Sequence, residues 1–113
     1  MDIKVETVND IVLVAVAGEL NMDNSNTLRE TFKKLLKDLH YKILLDLERL
    51  SFMDSSGIAT LIELFQDLGK VKGRMGLCCV NKRIVGVFEI TKVHKIFNMF
   101  ESREAALKSF SEK

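Results

Sequence analysis

The sequence predicts an α/β fold: a single-layer, mixed, mostly parallel β-sheet with an antiparallel N-terminal edge strand and helices packed mainly on one face. Three observations carry that prediction. Apolar strand-like runs alternate along the chain with stretches long enough to be crossover helices, and strands separated by helices become parallel neighbours. The run Ile11–Ala17 is apolar throughout, as expected of a central strand covered on both faces. Ahead of it, Ile3, Val5 and Thr7 alternate with polar residues and lead into Asn9-Asp10, the pattern of a half-buried edge strand and a hairpin turn.

The remaining elements follow in order. Gly18–Asn24 reads as a polar loop ending in capping residues, and Leu28, Phe32, Leu35, Leu36 and Leu39 then fall on one stripe of a helix over Asn24–Leu39. Ile43–Leu47 is a second buried strand. A second helix over Ile58–Val71 carries Ile58, Leu61, Ile62, Phe65 and Leu68 on its apolar face, with Gly69 and Gly73 at its end. Met75–Val80 is the next strand. Asn81 is placed to cap a short helix bearing Ile84, Val85 and Phe88; Ile96–Met99 reads as a short last strand; Ser102 is placed to cap a helix with Ala105, Ala106 and Phe110. The expected order is β-β-α-β-α-β-α-(β)-α, with Phe97 and Phe100 in the core.

Residues 1–113 are expected to form one domain. A chain of 113 residues suits a single core, and 47% hydrophobic with 29% charged residues excludes global disorder. The formal net charge of +1 offers no electrostatic footprint for nucleic acid or an anionic membrane. Lys33, Lys34 and Lys37 cluster on what reads as a solvated helix face. The longest apolar run, Ile11–Ala17, is far short of the roughly 20 residues of a membrane span. Met1-Asp2-Ile3-Lys4 does not open a signal peptide, so a cytoplasmic protein is expected. Cys78 and Cys79 are the only cysteines. As neighbours on a strand they would point to opposite faces, which leaves them badly placed to bridge or share a metal, and both read as small buried hydrophobes.

The most informative stretch is Phe52-Met53-Asp54-Ser55-Ser56-Gly57-Ile58, lying between the strand Ile43–Leu47 and the second helix. A carboxylate and two hydroxyls therefore meet a helix N-terminus, where unpaired N–H groups and the dipole favour oxygen or an anion. The plain reading is an N-cap. Catalytic patterns are missing around it. No Gly-rich phosphate loop is present and the serines are not in a Gly-x-Ser-x-Gly elbow. The histidines, His40 and His94, offer neither a base for a serine nucleophile nor a metal-ligand spacing. No enzyme, cofactor or metal is expected. A serine so placed is better suited to receiving chemistry than performing it. A phosphoryl group there would find helix N–H donors while adding about two negative charges beside Asp54, which disfavours any partner docked over the helix. That helix start lies at the C-terminal end of the parallel strands, where α/β sheets place their sites. Met22, Asp54, Ser56 and Gly57 are thus expected to rim a docking surface around Ser55. Asp46, inside a buried strand, either bonds to the motif loop and holds Ser55 or marks where the strand meets solvent. Met22, Met53 and Met99 are either a soft recognition surface or core and rim.

These residues resemble the bacterial anti-sigma factor antagonists, the small single-domain members of the STAS family. The resemblance spans nearly the whole chain. It is sharpest over Leu50–Ile58 with the preceding Leu44-Leu45-Asp46-Leu47, and includes Gly18-Glu19-Leu20 and Ser102-Arg103-Glu104-Ala105-Ala106-Leu107. It implies a partner switch. The unphosphorylated antagonist binds an anti-sigma factor that is also a serine kinase, freeing a sigma factor. The kinase phosphorylates the serine after the motif aspartate, here Ser55 and not Ser56, and a serine phosphatase resets it. Asp54 would shape the site and Gly57 would let the partner backbone come close. The chain departs from the family at Asn21, where an aspartate is frequent, and at Thr91-Lys92-Val93, where a glycine is frequent. The alternatives are a STAS scaffold subunit of a larger signalling or transport assembly, never phosphorylated, and a small hydrolase using Ser55.

Overall fold

The computed structural model describes residues 1–112. Its first strands, β1 (Asp2–Val8) and β2 (Ile11–Leu20), form an antiparallel hairpin pairing Asp2 with Ala17 and Val8 with Ile11. Asn9 turns the hairpin at φ 57°, a left-handed conformation that asparagine tolerates better than most residues. Helix α1 (Ser25–Lys37) crosses to β3 (Lys42–Asp46), and β4 (Leu50–Met53) follows at once. Helix α2 (Ser55–Lys70), β5 (Arg74–Cys78), α3 (Lys82–Thr91), a single 3-10 turn at Val93–Lys95, β6 (Met99–Phe100) and α4 (Arg103–Ser111) complete the chain. The sheet order is β1-β2-β3-β5-β6, with β4 pairing only to β2, and every pairing except β1 with β2 is parallel. The mixed, mostly parallel sheet is the one expected, and β2 is interior with β1 on one side and β3 on the other.

Alternation along the strands divides the core in two. Val12, Val14, Val16, Ile43, Leu45, Met75 and Leu77 face α1, α2 and α3 and pack with Leu28, Phe32, Leu61, Leu64, Ile84 and Phe88. Ile11, Leu13, Leu44 and Cys78 face the other way and are covered by Ala106 and Phe110 of α4. Three helices therefore share one face and one helix holds the other. Truncating any of the fully buried leucines to alanine removes about 2–5 kcal/mol, so the larger layer sets the stability.

Each helix is tied in by polar contacts at its ends or flank. Arg29 and Lys33 of α1 both pair with Glu63 of α2, at 2.7 and 2.9 Å, and Lys33 also reaches Asp67 at 2.8 Å. Lys33 thus belongs to an inter-helix charge ladder rather than to a merely solvated face. Ser102 and Asn81 accept from the N–H groups of Ala105 and Ile84 and cap α4 and α3, as expected. At the far end of α4, Arg74 donates to the carbonyls of Ser109, Phe110 and Glu112 and its guanidinium lies 5.1 Å from the centre of the Phe110 ring.

Several expectations need correction. Gly18–Leu20 is strand, not loop: after a register shift between Gly18 and Glu19, β2 continues and pairs with β4. The sequence announces no β4, because four residues interrupted by exposed Ser51 and Phe52 carry too short a pattern to register. Leu39 lies beyond α1 at φ 66° and is 72% exposed. On α2 the buried face includes Leu64, while Phe65 is 39% exposed and meets Phe97 edge-on. Val5 is exposed, so β1 is a wetter edge than expected. Asp46 neither reaches the motif loop nor meets solvent. It is 4% exposed and accepts from Arg103 Nε of α4 at 2.6 Å and from the Glu48 N–H at 3.0 Å. Cys79 is only half-buried, and at φ 59° it leaves the strand's alternation; the two cysteines do not point to opposite faces.

The missing glycine at Thr91-Lys92-Val93 has a structural answer. Lys92 itself adopts the left-handed conformation at the end of α3, at φ 63° and ψ 14°. A side chain there is strained by about 1–2 kcal/mol, more than the roughly 0.5–1 kcal/mol of extra backbone freedom a glycine loses on folding. Lys92→Gly is expected to raise stability by about 0.5–1 kcal/mol, read as a higher urea midpoint with an unchanged m-value.

Candidate functional site

Helix α2 starts at Ser55, three residues earlier than its apolar pattern suggests, because Asp54 caps it. Asp54 is in extended conformation (φ −101°, ψ −174°), so its carboxylate folds back over the first turn. Oδ1 accepts from the Ser56 N–H at 2.9 Å, the Gly57 N–H at 3.2 Å and the Ser56 hydroxyl at 2.6 Å. Oδ2 accepts from the Met22 N–H at 3.1 Å. The Asp54 N–H in turn donates to the Leu20 carbonyl at 3.2 Å. One residue thus caps a helix and pins the β2–α1 loop against it. These donors hold the Asp54 carboxyl below the ordinary aspartate range, with the Ser56 hydroxyl the largest cause and the Gly57, Met22 and Ser56 N–H groups adding to it.

The two serines are not equivalent. Ser56 is half-buried and its hydroxyl proton is committed to Asp54. Ser55 is exposed, and among the described residues its hydroxyl has no hydrogen-bond partner. Met22 stands beside them with 74% of its surface exposed, whereas Met53 is core at 3%. Phe52, on the strand leading into the motif, is 45% exposed. It was not singled out from the sequence, because without β4 its outward direction had no basis. Asn81 was read only as a cap, yet its Nδ2 also donates to the carbonyls of Leu47, Glu48 and Leu50 and holds the β3–β4 turn that aims the motif.

Gly57 faces inward. A Cβ built there would lie 2.8 Å from Leu20 Cγ and 2.8 Å from Met53 Cγ. The close approach that requires glycine is to the domain's own core, which corrects the expectation that it admits a partner's backbone. His94 Nδ1 lies 3.2 Å from the Phe88 carbonyl, away from the serines. A hollow of about 400 Å³ lies on the α4 side of the sheet, lined by Lys4, Ala15, Ala17, Asp46, Arg49 and Arg103 among others, and no motif residue borders it. Among the described residues, no helix is long and apolar enough to cross a membrane.

Residues 2–106 match the family model described as "STAS domain". The chain belongs to the STAS domain family. Within it, the chain is 25% identical over 108 residues to the anti-sigma F factor antagonist of Paenibacillus polymyxa, covering 95% of this chain and 92% of that one. Two solved structures share the STAS fold. An anti-sigma factor antagonist from Mycobacterium paratuberculosis superposes with a TM-score of 0.89 at 22% identity, covering 98% of this chain and 94% of that one. The unphosphorylated form of the Bacillus cell fate determinant SpoIIAA, an anti-sigma factor antagonist, gives 0.75 at 24% identity, covering 96% of each. SpoIIAA has also been solved in a phosphorylated form.

Two outcomes are expected from this geometry. Gly57→Val forces its branched side chain into Leu20 and Met53, and overpacking of this kind costs about 1–3 kcal/mol; a chemical melt reads the loss directly. Asp54 should titrate by carboxyl NMR at a lower pH than an unstructured aspartate, which titrates at about 3.9. Because its folded pKa is depressed, the stability it contributes is present above the unfolded value and lost as pH falls through the folded one. Asp54→Asn should flatten that part of the acid limb.

Proposed function

We propose that this STAS domain is a cytoplasmic anti-sigma factor antagonist. In this reading its unphosphorylated form binds an anti-sigma factor with serine kinase activity and so frees a sigma factor. Phosphorylation of Ser55 breaks the complex and a serine phosphatase restores it. The domain is substrate, not enzyme. The observation that carries the choice of residue is the contrast between the serines: Ser55 presents a free hydroxyl at the first position of α2, while the Ser56 hydroxyl is tied to Asp54. The relatives named as anti-sigma factor antagonists, and the existence of SpoIIAA in both phosphorylation states, support the same reading.

The docking surface is Ser55 at the centre, with Met22, Asp54 and Ser56 around it and Phe52 on the strand below. Gly57 contributes from beneath, by letting α2 sit low on Leu20 and Met53. The Asp54 carboxylate already occupies the Ser56 and Gly57 N–H groups, so a phosphoryl group on Ser55 meets a fixed negative charge rather than an empty set of donors. The dianion at an exposed helix start is tolerable in the free domain, and its cost falls on the complex as like-charge repulsion and desolvation. A 10²-fold loss of affinity needs only about 2.7 kcal/mol.

The test is to incubate the protein with candidate anti-sigma kinases and ATP and to map phosphate by mass spectrometry. Ser55→Ala is expected to bind the kinase and resist phosphorylation, Ser55→Asp to bind poorly, and Ser56→Ala to be phosphorylated still. Phosphate on Ser56 and none on Ser55 would overturn the residue assignment. Stable binding with no phosphotransfer to any residue would favour the scaffold reading instead.

A further inference from the structure

Two cysteines and a buried carboxylate converge on the α4 side of the sheet, remote from the function proposed for Ser55. Asp46 ends β3 and Cys78 ends β5, and the two are register partners in adjacent parallel strands. Their side chains stand side by side for that reason. Cys79 would face the opposite way if the strand continued. Its φ of 59° turns it back, a conformation that costs a non-glycine residue about 1–2 kcal/mol. As a result a carboxylate oxygen of Asp46 and the sulfurs of Cys78 and Cys79 all lie within 4.8 Å of one another. Asp46 and Cys78 are buried, while Cys79 is half-buried and borders a shallow surface hollow with Val80, Val85, Met99 and Phe100.

We propose that Asp46, Cys78 and Cys79 form a binding site for a divalent thiophilic cation of the zinc type. Two sulfurs and one oxygen are a zinc donor set, and three protein ligands with one open position is a common zinc arrangement; magnesium and calcium require oxygen ligands throughout. Charge selects the same ion. Two thiolates and a carboxylate carry three negative charges, and Arg103, which Asp46 shares with Glu6, offsets at most one of them, so a divalent cation lowers the buried charge further than a monovalent soft cation does. On binding, two S–H bonds break, their protons leave to solvent and two metal–sulfur bonds form.

Arg103 Nε and the Glu48 N–H each occupy one lone-pair site on a different Asp46 oxygen. A carboxylate has about four such sites, so each oxygen keeps one free. Those contacts then act as outer-shell partners that orient the ligating carboxylate. Zinc holds sulfur at about 2.3 Å and oxygen at about 2.0–2.2 Å, which brings ligand atoms to roughly 4 Å from one another. The cluster needs only a small contraction, and Cys79, half-buried at the hollow, is the most exposed of the three ligands.

The test uses the full, untagged, reduced chain titrated with cadmium, followed by the ultraviolet cadmium–thiolate band, with zinc as competitor. One equivalent is expected to bind, zinc is expected to displace it, and zinc is expected to raise the melting temperature. Cys79→Gly is the decisive variant, since glycine accepts the positive φ and the fold should melt at the same temperature or higher. Its affinity should fall by more than about 100-fold, beyond the 10–100-fold that loss of an outer-shell partner costs. Cys78→Ala should lose the band as well. Absence of the band in the unaltered protein, or cadmium binding undiminished in Cys79→Gly, overturns the proposal.

Discussion

The Asp54 carboxylate is the constraint on which the rest of the site depends. It accepts from three backbone N–H groups and one hydroxyl that belong to two separate segments, the first turn of α2 and the loop after β2. With the carboxylate in place, α2 starts at Ser55 instead of deeper in its apolar pattern, Met22 is held beside it, and Ser56 is withdrawn from the surface chemistry. The asymmetry between the two serines is therefore a product of the cap. A residue that reads first as a helix terminator is also what leaves one hydroxyl, and only one of the pair, presented to solvent.

Much of the fold was legible because burial and periodicity coincided. Ile11–Ala17 is apolar on both alternating sets because α1, α2 and α3 cover one face of β2 and α4 covers Ile11 and Leu13 on the other, and the edge strand, the Asn9-Asp10 turn and the caps at Asn81 and Ser102 each carried a local signature. The site was legible in its residues but not in its construction. β4 escaped notice because its partner is the far end of β2, beyond a bulge, and no local pattern announces a pairing across 30 or so residues of chain. Gly57 was read as an accommodation for a partner because a sequence shows a missing side chain and not what lies beneath it. Asp46 was misjudged for a related reason. Its partner, Arg103, is 57 positions away, so the ion pair exists only once α4 has docked.

The two faces of the sheet divide the labour. The three-helix face holds the large core and ends, at its rim, in the motif serine. The single-helix face is thinner and is secured by polar devices at both ends of α4: the Asp46–Arg103 pair at its start and the Arg74 guanidinium under its last carbonyls. A guanidinium that caps three carbonyls and covers an aromatic ring does the work of several apolar contacts where the interior is too shallow to supply them.

The tight seat of α2 on Leu20 and Met53 has a consequence for how such domains diversify. The height of Ser55 above the sheet is set from below, by the absence of a side chain at Gly57 and by the bulk of two buried residues. A change of shape at Leu20 or Met53 would tilt or lift the first turn and carry the hydroxyl, the cap and Met22 with it as one rigid unit. Partner preference can therefore drift through substitutions hidden in the interior while the exposed face keeps the same amino acids, and two relatives with identical surface motifs need not present them to the same partner.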